Sequence, residues 1–292
     1  TGAQSTLIAG GGSAGGLGGH IRFSGQTTGG TARVVLGAGS SAAAGGTLTI
    51  DGVDVSLSVG SIEGGGNISL GAKSLFVVGN AGAITFSGVI SGSAPAVFPS
   101  LAVLGGTLTL AGDNTYAGRT QIGDGVNADS GKLITANATG SATGSGEVRI
   151  ERGGTLAGSG TIAGPVVLRD GGTIAPGDPV TLTLQSSLTW NGGGLIRLVL
   201  GADNVGSDHL VVHSLVRGAS GPFVFDLIDT GMVAGAAYNL LQFDTLVGFV
   251  ASDFTFAGSG AAGRFSIADG AIGFTAAAVP EPNAAALLLL GL

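Results

Sequence analysis

Gly153-Gly154-Thr155-Leu156 returns as Gly171-Gly172-Thr173-Ile174, eighteen residues further along the chain. Longer forms of the same pattern are Gly45-Gly46-Thr47-Leu48-Thr49-Ile50 and Gly105-Gly106-Thr107-Leu108-Thr109-Leu110. Self-similarity of this kind marks stacked repeats, and the eighteen-residue step suits one coil of a narrow β-solenoid. Between the two short copies lies Gly160-Thr161-Ile162-Ala163-Gly164-Pro165-Val166-Val167-Leu168, which reads as two short strands joined by a tight turn. Such a unit cannot bury its apolar face alone, so coils must stack and pair in register. The glycine pairs are expected to supply positive-φ corners. Thr, Val, Leu and Ile suit the pleated positions. The competing reading is a β-sandwich with coincidental Gly-Gly-Thr turns.

Outward from this stretch, strand signals dominate. Short alternating groups bounded by Gly, Asn, Asp or Ser occur at 53–59, 67–70, 74–78, 83–86, 147–150, 181–184 and 195–200. Helical periodicity is nearly absent, with only 276–278 and the tail open to a helix. The glycine-rich stretch 10–19 reads as a loop. These patterns predict an all-β protein, with a parallel β-helix over 1–180 that is clearest at 101–177. A boundary is expected near Pro176–Pro179, where the Gly-Gly-Thr copies stop. A β-rich C-terminal module or cap over 181–278 follows, either a wider end of the solenoid or a small sandwich. Most of the chain's phenylalanines fall there, together with Trp190.

Composition narrows the function classes. Glycine makes up 59 of the 292 residues, and charged residues only 10%. An average domain has about 7% glycine and about 25% charged residues. The apolar residues fall in regular groups, which argues against a disordered linker. With no cysteine there is neither a disulfide nor a thiolate metal site. A net charge of −7 and a pI near 4.7 argue against nucleic acid, which needs a basic face.

The segment 101–177 resembles the autotransporter-associated β-strand repeat of passenger domains. The resemblance rests on Gly105, Gly106, Thr107 and Leu108, followed by Leu110, Gly112, Asn114, Thr115, Tyr116, Gly118 and Thr120. It continues through 144–150, 153–162 and 171–177. It implies a right-handed parallel β-helix displayed outside the cell. No outer-membrane barrel follows, so self-transport is not implied.

The end of the chain resembles a second known element. Val279-Pro280-Glu281-Pro282 leads into the apolar run Ala284–Leu292. Two prolines stop helix and sheet alike, and the run is shorter than the ~20 residues a membrane span needs. This resembles a PEP-CTERM sorting signal over 279–282 and the first half of its transmembrane helix. The resemblance implies export from a Gram-negative cell, processing by exosortase-type machinery, and membrane contact only through this signal. The basic tail of that signal is missing and the chain starts at Thr1, so the sequence is expected to be a piece of a longer frame.

Chemical motifs are sparse. Gly10, Gly12 and Gly15 satisfy a dinucleotide fingerprint, but no helix signal follows to receive a pyrophosphate. Gly11-Gly12-Ser13-Ala14-Gly15 spells a nucleophile elbow without the required α/β context. Of the three histidines, His209 and His213 share one face of a strand beside Asp208, a conceivable metal pair. Asp124, Asn127 and Asp129 gather oxygen ligands in one loop, but outside EF-hand spacing. Arg149, Glu151, Arg152 and Arg169 are expected to form a salt-bridge ladder on neighbouring coils. No cofactor, metal or catalytic residue is assigned. The expectation is a non-enzymatic structural or adhesive protein of the cell surface or extracellular matrix, contacting polysaccharide or like copies. Two alternatives are a polysaccharide lyase-like enzyme on the same scaffold and an autotransporter-type passenger.

Overall fold

The protein is described by a computed structural model at residues 5–79, 82–95, 98–177, 180–258 and 262–277. Among these residues the fold is all-β, with long parallel sheets stacked as in a β-solenoid. The chain visits three faces in turn. Arg33–Leu36, Thr47–Val53 and Ser56–Val59 form one coil, and Ser61–Gly64, Asn67–Ser69 and Ser74–Val77 form the next. Like strands pair in parallel from coil to coil. The first face holds eleven described strands, from Thr6–Ala9 to Phe254–Ala257. The second face has four, ending at Val89–Ser91. The third begins at Ser56–Val59 and runs to Ala237–Val247. There the hairpin Gly263–Ala268/Ala271–Ala276 pairs antiparallel and closes it.

Side chains alternate in and out along every face. Val34, Leu48, Leu57, Ile62, Ile68 and Leu75 all point inward and are fully buried. Each buried aliphatic side chain contributes about 1.5–3 kcal/mol by leaving water. The two short Gly-Gly-Thr copies stack directly, with Thr155 on Thr173 and Leu156 on Ile174. The longer copies do not share a face: Thr47–Val53 belongs to the second and Thr107–Leu110 to the first. The shared hexapeptide therefore encodes a turn entering a strand, not one phase of the coil.

The run 53–59 divides between two strands. Val53 ends one face, and Ser56–Val59 starts the next after a corner at Asp54–Val55. Its alternation continues through the corner, so the sequence pattern could not show the break. Stretch 10–19 carries no strand, and Gly12 donates its N–H to Ala44 in a loop rather than opening a helix. Ala276 ends a strand.

The glycines meet two needs. Gly153 and Gly171 have φ of +76° and +73°, as expected of the repeat's corners. A second set is needed for close approach. A Cβ on Gly66, Gly88 or Gly112 would strike the carbonyl oxygen of Gly46, Gly66 or Gly88, one coil below. Gly118, Gly146 and Gly164 repeat this at another corner, each later glycine facing the carbonyl of the one before. Coils in a solenoid are fixed one strand spacing apart, ~4.8 Å. The corners can meet at that spacing only without side chains.

The cross-section changes at the strand Thr181–Trp190, and both long sheets continue through this level. Within the strand Thr181–Trp190, residues 183–184 pair with Thr161–Ile162 and residues 188–190 pair with Val166–Leu168. Two short strands of the narrower coil thus merge into one long strand. A register shift between Leu184 and Ser187 takes the place of the former corner. The broader interior is filled by aromatic rings. Trp190 lies edge-on to Phe223 and Phe225, with centroids 5.5 and 5.2 Å away, and stacks on Phe254. Arg217 covers the Phe223 ring at 5.0 Å and pairs with Asp253 at 2.7 Å.

Candidate functional site

From Leu108 to Thr120 every even-numbered residue is buried and no odd-numbered one is. The repeat motif therefore consists mainly of inward positions: Leu108, Leu110, Gly112, Asn114, Tyr116, Gly118 and Thr120. Gly106 lies outside this run and is exposed, with Gly105 and Thr107 half-buried; Thr115 points out. Asn114 replaces a strand's ladder with its amide. Its Oδ1 accepts from Ile90 N at 2.7 Å on the preceding coil, and its Nδ2 donates to Ala142 O at 2.6 Å on the following one. The buried Tyr116 hydroxyl lies 2.7 Å from Thr120 Oγ1, and burial raises its pKa well above the ordinary phenol value. Asn114 thus holds three successive coils together, while the Tyr116–Thr120 bond braces a single coil. Asn114→Ala is expected to cost about 2–3 kcal/mol, because a buried donor and acceptor lose their partners. A shift of the urea midpoint would measure it, and an unchanged midpoint would contradict the bridging role.

The loop at Asp124 is closed upon itself. Asp124 Oδ1 accepts from Val126 N and Asn127 N, both at 2.9 Å, and Oδ2 accepts from Asn127 Nδ2 at 2.6 Å. These bonds, that from Val126 first, pull the Asp124 pKa down to about 2. Asp129 adopts φ +57°. The oxygens of Asp124 thus serve a turn, and among the described residues no three His, Asp or Glu side chains cluster for a metal. A depressed carboxylate pKa contributes stability above its ordinary value of ~3.9 and loses it as pH falls through the folded value. The Asp124 carboxyl is expected to titrate near pH 2 by NMR, with the Val126 and Asn127 amide signals moving together. Titration near pH 4 would overturn the turn assignment.

His209 and His213 lie on Leu210's strand, His209–Arg217. Four residues along a strand span ~13 Å, so the two rings cannot share one ion. His213 Nδ1 instead meets Asp244 Oδ2 at 2.8 Å on the next coil. The expected basic–acidic ladder is present in part: Arg152 pairs with Asp170 and Arg169 with Glu151, across coils, whereas Arg149 pairs with Glu147 on its own coil. Arg197–Asp226 and Arg33–Glu63 extend the theme on the first face. Each exposed pair contributes at most about 1 kcal/mol.

A groove of about 500 Å3 lies on the third face. It is lined by Thr183, Gln185, His213, Gln242, Asp244 and Asp269 among others. The register shift at Leu184–Ser187 forms one wall. The hairpin turn at Asp269–Gly270 forms another, pinned by Phe243 N donating to Gly270 O at 2.8 Å. Sequence reasoning did not find these residues as a group. They come from three separate strands and a turn, and only Asp269-Gly270 carries a local signal. Val279, Pro280, Glu281 and Pro282 lie outside the described residues.

Fold and surface together define an all-β, solenoid-like protein. Comparison with protein-family models and with curated proteins found no match. Among the described residues no helix is long and apolar enough to cross a membrane.

Proposed function

We propose that this chain is the solenoid part of an exported structural or adhesive protein of the cell surface or extracellular matrix, wound as a right-handed parallel β-helix. It is sorted through Val279–Pro282 and a following apolar helix, and it works by presenting a long, weakly charged surface rather than by catalysis. The observation that carries this reading is the use of the repeat motif: its inward Asn114 joins its coil to the coils before and after it. That arrangement suits a stalk. The charged side chains that pair across coils, such as Arg197 with Asp226, likewise brace the outer faces. The residues quoted for the two family resemblances support export and display.

The test is fractionation of the parent protein in a host with exosortase-type machinery. The native protein is expected in the surface or extracellular fraction, cut near the Pro-Glu-Pro element. Replacing Glu281 and Pro282 with alanine is expected to leave it uncut in the membrane fraction. Cytoplasmic location of both forms would overturn the proposal.

A further inference from the structure

The geometry points to the groove at Gln185, His213, Gln242 and Asp244 as a binding site for a neutral or amino oligosaccharide. Three adjacent strands supply its side chains in rows ~4.8 Å apart. Gln185 comes from the strand Thr181–Trp190, His213 from His209–Arg217, and Gln242 and Asp244 from Ala237–Val247. Val212 pairs with Phe243 and Ser214 with Thr245, which sets His213 level with Asp244. The register shift beside Gln185 is a bulge, the kind of irregularity that redirects a side chain on an otherwise regular face. Asp269 reaches the rim from the hairpin turn with φ +51°.

The chemistry of the lining selects the ligand. Leu184 and Val212 are buried in the core, so the outward side chains that line the groove are mostly polar. Val211 and Phe243, both half-buried, add apolar surface between these polar groups, a mixture that suits the two-sided face of a sugar ring. Gln185 and Gln242 are exposed, and no described residue bonds to either side-chain amide. Each amide offers both donors and an acceptor, which suits the mixed capacity of sugar hydroxyls. No Lys or Arg lines the groove, whereas Asp244 and Asp269 do. An anionic ligand such as a polyuronate is therefore repelled, and a neutral or protonated amino sugar is accepted. A volume of about 500 Å3 lies in the usual range for ligand sites.

The inference draws its biological sense from the surface-protein reading, but its test does not depend on export. Isothermal titration of the purified chain would use cellotetraose, a chitosan tetramer and tetragalacturonate. The first two are expected to bind, with tetragalacturonate at least about tenfold weaker. The exposed double variant Gln185→Ala/Gln242→Ala is expected to weaken cellotetraose about tenfold while leaving the circular dichroism spectrum unchanged. Asp269→Asn should weaken the chitosan tetramer more than cellotetraose. Three results would each overturn the site: no heat with any probe, preference for tetragalacturonate, or binding indifferent to these substitutions. Binding by a protein that fractionates to the cytoplasm would instead sink the surface reading alone.

Discussion

Gly112→Ala is expected to destabilise the protein by about 3 kcal/mol, the upper end of the usual cost of overpacking. The added methyl would occupy the position of the Gly88 carbonyl, so two coils must separate or the corner must rebuild. Separation would stretch hydrogen bonds on both sides of the corner, including Ala111 N to Phe86 O and Thr115 N to Ile90 O. Gly10→Ala is the matched control. A Cβ at Gly10 meets nothing within 4 Å, and its φ is not in the left-handed region. It should change stability by less than about 0.5 kcal/mol. Equal urea midpoints for the two variants would show that glycine is abundant here for some reason other than coil spacing.

That contrast bears on what the sequence makes legible. The strands at 83–86 and 195–200 coincide with their alternating runs, because apolar residues at a spacing of two have only one face to bury. The stacking of Thr155 on Thr173 was likewise written in the spacing of their Gly-Gly pairs. The corner inside 53–59 was hidden, since Val55 keeps the apolar alternation of the sequence although the corner leaves it exposed. The close-approach glycines were also hidden. A local sequence does not say which atom lies one coil below, so Gly88 and Gly171 look alike until the coils are stacked. The groove is the extreme case: Gln185, His213 and Asp244 have no common motif and meet only through register. The merger of two short strands within Thr181–Trp190 could be glimpsed only as a longer strand with more aromatics after it.

Those aromatics set the second large effect. Trp190→Ala is expected to cost about 3–5 kcal/mol, since it removes the largest buried side chain and leaves a cavity between rings. The rings of Phe223, Phe225 and Phe254 would lose their central partner, and the Gly194 carbonyl would lose the indole N–H that donates to it at 2.9 Å. Trp190→Phe should cost less, about 1–2 kcal/mol, by keeping a ring but dropping that hydrogen bond. Trp190 is also the only tryptophan, so its emission reports on the C-terminal coils alone. In a solenoid each coil touches only its neighbours, and stability is a sum of local and nearest-neighbour contributions. Gly112→Ala therefore weakens coils at some distance from the aromatic interior. In that variant the circular dichroism transition should begin at lower urea, while the Trp190 emission transition stays near its original midpoint. Coincident transitions would mean that the aliphatic and aromatic ends unfold as one cooperative unit, and the change of cross-section at Thr181–Trp190 would then carry no energetic boundary.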